Sequence, residues 1–252
     1  MPVGQTNRRT FIAALCCSAS WPIIALGQSP TPVIGFLGTL TADNTAKRLV
    51  GFREGLGAVG FDEGRNVVIE YRWAEGDYSR LAGLAEELVQ RKVGVIVASS
   101  PPAIAAAKQA TSTIPIVFGS GTDPVASGLV SSLSKPDGNA TGVFILTNAL
   151  EPKRLDLLHQ LLPDASSFAV FLNPKYSETD TDLKIIRSAA RNLGVELLIS
   201  SISVAADIEV GFERINQSHA RALLIGADPF LSSHRKRIIE LAAHFRVPTI
   251  YE

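Results

Sequence analysis

The sequence has 252 residues, 46% hydrophobic and 19% charged, with 24 basic against 24 acidic side chains. That length fits one large domain or two small ones, and the apolar content excludes wholesale disorder. A formal charge of zero argues against a nucleic-acid partner, and two cysteines, Cys16 and Cys17, cannot build a disulfide scaffold or a four-cysteine zinc site.

Residues 1–27 differ from the rest. Arg8 and Arg9 come with no acidic residue, an apolar stretch runs from Phe11 to Leu26, and the small residues Ala25 and Gly27 precede Gln28. Basic start, short apolar run and small-residue cleavage site are the three parts of a secretory signal. The run is shorter than the roughly 20 residues of a membrane-spanning helix. Asn7-Arg8-Arg9-Thr10-Phe11-Ile12 also resembles a twin-arginine signal, so the route reads as Sec or Tat. Neither cysteine has the Leu of a lipoprotein box. Cleavage removes both cysteines and two arginines, leaving a cysteine-free, slightly acidic chain suited to an oxidising periplasm.

The remainder alternates strand and helix. Residues 33–37 form a short apolar run ended by Gly38 and predict a buried strand. Leu49, Phe52, Leu56 and Val59 recur at helical spacing, with Gly60 as the stop. Residues 67–71 alternate apolar and polar, as a strand near an edge does. Leu81, Leu84, Ala85 and Leu88 mark a second helix, and the apolar run 93–98 a buried strand. An alanine-rich helix at 103–110 has Pro102 near its start, and Pro115 points to the start or edge of a strand at 114–118. A stretch richer in Gly, Ser and Pro, 119–142, precedes a strand at 141–146. The alternation then repeats. A helix through Leu155, Leu158 and Leu162 ends at Pro163, and a strand follows at 168–172. A helix through Leu183, Ile186, Ala190 and Leu193 stops at Gly194 before a strand at 195–199. A helix through Ile208, Phe212 and Ile215 leads to a strand at 222–225, and a helix through Ile238, Leu241, Ala242 and Phe245 to a last strand at 247–251.

This pattern predicts an α/β protein of two Rossmann-like lobes, 28–146 and 147–247. Apolar strands separated by helices imply parallel sheets covered on both faces. Ligands bind beyond the carboxyl ends of such strands, and two lobes facing each other there make a cleft.

Most chemical motifs fail on context. Gly55-Leu56-Gly57-Ala58-Val59-Gly60 matches the dinucleotide fingerprint but closes a helix instead of opening one, so close packing and a helix cap are the expected reasons for its glycines. There is no phosphate loop and no G-x-S-x-G elbow. His159, His219, His234 and His244 form no metal-ligand pair, so neither a metal nor a cofactor is expected. Tyr71, Trp73, Glu75 and Asp77 read as packing plus a surface turn, and Glu86 and Glu87 as a solvated helix face.

What remains are short polar loops at predicted strand ends. They are Gly38-Thr39, Ser99-Ser100 and Gly119-Ser120-Gly121-Thr122-Asp123 in the first unit, and Asn173 and Asp228 in the second. Glycines and small hydroxyl residues admit an anionic group, and Ser100 precedes a positive helix end. A carboxylate at Asp228 balances an ammonium. Together they suit a zwitterion such as an amino acid; the plainer alternative is that they are only turns.

Several stretches then carry a resemblance. They are Gly64-Arg65-Asn66-Val67 with Glu70-Tyr71-Arg72-Trp73-Ala74-Glu75-Gly76; Ile114-Pro115-Ile116-Val117-Phe118; Asp123-Pro124-Val125; Gly128-Leu129-Val130 with Ser132-Leu133; and Gly138-Asn139-Ala140-Thr141-Gly142-Val143. In this order and spacing they resemble the TrpX-like ABC-transporter substrate-binding proteins, whose fold is the type I periplasmic-binding fold. Two departures are Asp137 where that family usually has a second Gly, and Ser99-Ser100-Pro101-Pro102 where Gly and Thr are frequent. The resemblance implies a monomeric periplasmic receptor that closes on a small-molecule ligand and delivers it to an ABC permease in the inner membrane. Related amino-acid receptors hold the α-carboxylate at first-lobe strand ends and the amine at a second-lobe acid. By strand order, Ser99, Ser100, Ser120 and Thr122 take the carboxylate and Asp228 the amine. Members continue beyond a position like Glu252, so the sequence reads as truncated, its first lobe incomplete, with 248–252 beginning a crossover back to that lobe.

Two other readings compete. An exported α/β enzyme acting on a small carboxylate or ester would use Ser120 or Asp123. A ligand-sensing regulator would carry a DNA-binding helix-turn-helix where the export signal stands.

Overall fold

The structure, a computed structural model, describes residues 31–132, 138–145 and 147–251. The export signal read at 1–27, both cysteines and Asp137 lie outside the described residues. Residues 32 onward cluster as one unit.

The first half runs β1 (Val33–Gly38), α1 (Ala42–Ala58), β2 (Val68–Trp73), a 3₁₀ turn (Tyr78–Arg80), α2 (Leu81–Gln90), β3 (Val95–Ala98), α3 (Pro101–Ala110), β4 (Ile116–Ser120) and β5 (Ala140–Phe144). A second 3₁₀ turn (Asn148–Leu150) leads into α4 (Glu151–Leu161), β6 (Ser167–Leu172), α5 (Thr179–Leu193), β7 (Glu196–Ser201), α6 (Ala206–Asn216), β8 (Leu223–Ile225), α7 (Pro229–Ser233), α8 (Arg235–Phe245) and β9 (Thr249–Ile250). The sheets have the orders β2-β1-β3-β4-β5 and β7-β6-β8-β9, and every pairing is parallel.

Strand position follows apolar content. The unbroken runs become β1, β6 and β8, interior strands that are almost entirely buried. The alternating run becomes β2, at an edge. Each sheet buries both faces. In the first lobe Leu88, Ile96, Ile104 and Ile116 pack on one side and Ile34, Phe36 and Leu49 on the other. In the second, Phe171 and Phe212 meet edge to face at 5.4 Å on one side, and Leu155, Phe168 and Ile186 fill the other.

Local signals place the helix ends. Thr41 caps α1 by accepting from the Asn44 N–H at 3.3 Å, and Gly194 ends α5 with φ +68°. The Gly55–Gly60 motif does close α1. Packing does not explain it, however, because a Cβ at Gly55 meets nothing within 4 Å. Gly60, at φ +88°, is the position that needs glycine. Within the stretch expected to begin a crossover, Thr249 and Ile250 pair with Leu223 and Leu224 as the fourth strand of the second sheet. The apolar run 247–251 has the character of a strand, and β8 has a free edge for it.

The two sheets share one winding order. Each begins with a central strand, adds its second strand on one side and its third on the other. The strand order therefore reverses between β1 and β3, and again between β6 and β8. The crevice beyond such a reversal is where an open parallel sheet binds ligands. Gly38-Thr39, Ser99-Ser100, Asn173 and Asp228 follow those four strands.

Candidate functional site

Both lobes open on one cleft of about 1050 Å³. From the first lobe, Ser99, Ser100, Gly119, Ser120 and Gly121 line it. From the second come Tyr176, Gly226, Ala227 and Asp228. Asn148, on the segment joining the lobes, lines it as well. Leu40, Val143, Ile145, Ile225 and Ile238 give the remaining wall an apolar stretch.

The first-lobe wall is polar without being acidic. Ser100 is the N-cap residue of α3, and its hydroxyl is buried without a hydrogen-bond partner. Pro101 and Pro102 open α3 and carry no N–H, so the helix end supplies its positive dipole with fewer amide donors than usual. That leaves the buried Ser100 hydroxyl, on a residue that lines the cleft, without a hydrogen-bond partner among the described residues. Ser120 is less free. Its Oγ accepts from the Thr122 N–H at 3.1 Å and lies 3.0 Å from both the Thr122 carbonyl and the Thr122 hydroxyl. The loop is stapled to the joining segment by Thr147, whose N–H donates to the Gly121 carbonyl at 3.0 Å.

The second-lobe wall carries a buried carboxylate, and Arg235, Lys236 and Glu240 line the same cleft. Asp228 is 3% exposed and N-caps α7 by accepting from the Leu231 N–H at 2.8 Å. Its Oδ2 accepts from the Tyr78 hydroxyl at 2.8 Å and from Asn173 Nδ2 at 3.3 Å. No Lys or Arg pairs with it among the described residues. Burial raises its pKa to about 6 against those hydrogen bonds, because the charged form has lost water and gained only neutral donors. Behind it, Asp182 accepts from Asn148 Nδ2 at 2.8 Å on each oxygen, and burial again raises the carboxyl to about 6. Glu151 is buried beside Arg154 at 3.1 Å and accepts from the Ala227 N–H at 2.9 Å. The buried charged groups among the described residues are thus three carboxylates and one guanidinium.

Of the nine expected ligand residues, Ser99, Ser100, Ser120 and Asp228 line the cleft. Gly38, Thr39, Thr122, Asp123 and Asn173 do not, and each has another place in the structure. A Cβ on Gly38 would lie 2.3 Å from the Trp73 ring, so that glycine seats an aromatic cluster. The Thr39 carbonyl accepts from the Gly76 N–H at 2.8 Å. Thr122 closes the turn on Ser120. The Asp123 carboxylate accepts from the Val125 and Ala126 N–H groups at 2.8 and 3.2 Å. Asn173 supports Asp228 from below. Among the described residues, Ser120 and Asp123 form no nucleophile–base pair with each other or with a histidine.

Tyr78, Asn148 and Tyr176 line or bound the site without a sequence signal. The helix α7 had one, since Asp228-Pro229 is an N-cap followed by a proline at the first helical position. Among the described residues no group of three His, Cys, Asp or Glu could hold a metal ion, and no helix is long and apolar enough to cross a membrane.

A family model described as "ABC transporter substrate binding protein" matches residues 34–252. The tyrosine-binding protein of Clostridioides difficile is 28% identical over 200 residues, covering 79% of this chain and 57% of that protein. The chain therefore spans a little over half the length of that curated relative. Among solved structures, a conserved domain protein from Vibrio cholerae has a TM-score of 0.77 at 25% identity. An ABC domain in complex with L-Trp from Streptococcus pneumonia has a TM-score of 0.74 at 21% identity. Each alignment covers 87% of this chain and 73% of the solved one.

Proposed function

Because the chain belongs to the ABC transporter substrate-binding protein family, with the fold of type I periplasmic binding proteins, we propose that it is the solute receptor of an ABC importer. It acts in the periplasm as a monomer, binds an amino acid between its lobes and passes it to the permease. The observation that carries this reading is the electrical asymmetry of the cleft. One wall offers a buried hydroxyl, without a partner among the described residues, at a positive helix end; the other offers a buried carboxylate that no Lys or Arg pairs with among the described residues, while Arg48, Arg235 and Lys236 also line the cleft. An α-amino acid carries the two complementary charges a few ångströms apart. The ligands named for the similar proteins, tyrosine and tryptophan, are of this type, and the apolar stretch of the cleft suits an aromatic side chain.

In this reading Ser99, Ser100 and Ser120 face the ligand carboxylate, and Asp228 receives the ammonium. Glycines at 119 and 121 let the backbone approach. An exported enzyme using Ser120 would need a base beside it, and among the described residues the Ser120 hydroxyl bonds within its own turn, to Thr122.

The Asp228 carboxyl makes binding pH-dependent in a defined sense. Its folded pKa of about 6 lies above the ordinary value of 3.8. In the free protein the protonated form is favoured. Its stabilising contribution is complete below about pH 4 and is lost as pH rises through 6. The ligand ammonium favours the charged form and reverses this. Titration calorimetry with L-tryptophan and L-tyrosine is therefore expected to show constant affinity above about pH 7 and a fall of about tenfold per pH unit below 6. Proton release on binding, seen as a dependence on buffer ionisation enthalpy, should rise from near zero above about pH 7, through about half a proton at pH 6, toward about one proton at pH 5. Binding with no proton release at that pH would remove Asp228 from the ammonium site.

A further inference from the structure

Tyr78 belongs to the first lobe, yet its hydroxyl touches the carboxylate assigned to the ligand on the second. We infer that Tyr78 is a positioning residue for Asp228: the first lobe holds the second lobe's carboxylate in the orientation that receives the ligand cation, so that the ammonium is recognised only when the two lobes are together. The inference rests on the receptor reading above.

Tyr78 is well placed for this. It opens the 3₁₀ turn at Tyr78–Arg80, beyond the carboxyl end of β2. Asp77 caps that turn by accepting from the Ser79 N–H at 3.1 Å, and the Gly76 N–H ties its approach to the Thr39 carbonyl at 2.8 Å. The ring packs against buried clusters of both lobes, one containing Leu81, Ala85 and Leu88, the other Phe230 and Leu231. The hydroxyl is held from two sides. It donates to Asp228 Oδ2 at 2.8 Å and accepts from the Phe230 N–H at 3.1 Å. Both acts fix the start of α7, where Asp228 is the N-cap.

The carboxylate is held by donors of different origin. Leu231 N–H holds Oδ1 and Asn173 Nδ2 holds Oδ2, both from within the second lobe. Tyr78 alone of these comes from the other lobe. Without it, the remaining side-chain donor to Oδ2 among the described residues is Asn173, at the longer distance of 3.3 Å. Swinging the lobes apart must break the Tyr78 bonds and release the carboxylate to turn toward solvent. All of these donors are neutral, so they orient the charge without cancelling it, and a ligand cation remains favourable.

The test uses two pairs of probes, L-tryptophan with indole-3-propionate and L-tyrosine with 3-(4-hydroxyphenyl)propionate. Each pair differs by the ammonium group. Affinities at pH 7.5 are measured for the unaltered protein, Tyr78→Phe and Asp228→Asn. Tyr78→Phe keeps the ring in both cores and removes only the hydroxyl. The inference predicts that it weakens the amino acids about tenfold, as expected for losing a hydrogen bond to a charged group. The propionates should stay within about twofold, so the preference for the ammonium shrinks. Equal weakening of both members of a pair would make Tyr78 a packing residue and overturn the inference. So would an unchanged preference alongside its loss in Asp228→Asn. If the unaltered protein binds neither member, or Asp228→Asn keeps the preference, the receptor assignment of Asp228 fails and takes this inference with it.

Discussion

Asp228→Asn is expected to cost the protein two to three orders of magnitude in affinity for its amino-acid ligand while leaving the free protein as stable as before or slightly more so. The two effects have one origin. Asp228 is buried with neutral donors only, and its carboxyl is pushed up to about 6. Removing the charge relieves the free protein at neutral pH of about 1–2 kcal/mol of unfavourable desolvation. Asparagine is as good an N-cap as aspartate, so α7 keeps its first-turn bond from Leu231. The ligand ammonium, by contrast, loses the buried carboxylate that receives it and is left desolvated, at a cost of about 2–5 kcal/mol. Calorimetry and thermal denaturation on the same sample separate the two. A variant that binds normally, or one that unfolds, contradicts the account.

Glu151→Ala carries the largest expected loss of stability, about 3–5 kcal/mol. The Glu151 side chain is fully buried, 3.1 Å from Arg154 and 2.9 Å from the Ala227 N–H. Truncation strands a buried guanidinium and an amide together. It also frees the loop that delivers Asp228, since Ala227 is the preceding residue. Removing both charges with Glu151→Met and Arg154→Met is expected to recover most of the loss, because replacing a buried pair by apolar side chains leaves no orphaned charge. Urea denaturation checks this through the midpoint at unchanged slope. A single-variant loss below about 1 kcal/mol would mean that water reaches the pair.

Much of this architecture was legible because it rests on local composition. The run 168–172 is apolar at every position and becomes a central strand, while the alternation at 67–71 becomes an edge. Gly194 stops a helix where its φ of +68° requires glycine. The cleft was legible at one remove, since apolar parallel strands place their ligands beyond their carboxyl ends. Less legible was which of the polar residues at those ends line the cleft. Thr122 and Asp123 look like ligand residues, yet they serve their own turn, as Asp and Thr in tight loops often do. Asp228 serves twice, as a cleft carboxylate and as the N-cap of the short helix that Pro229 opens. Tyr78 had no readable signal. Its partner is 150 positions away, and only the folded chain brings the two together.

The most direct measurement is a crystal structure of the protein grown with L-tryptophan or L-tyrosine. The account predicts the ligand between the lobes, its carboxylate against the Ser100 hydroxyl at the start of α3, its ammonium on Asp228, and its side chain along Leu40, Ile225 and Ile238. A ligand with the two charges reversed, or seated outside the cleft with Asp228 still bound only to Tyr78, Asn173 and Leu231, would contradict it.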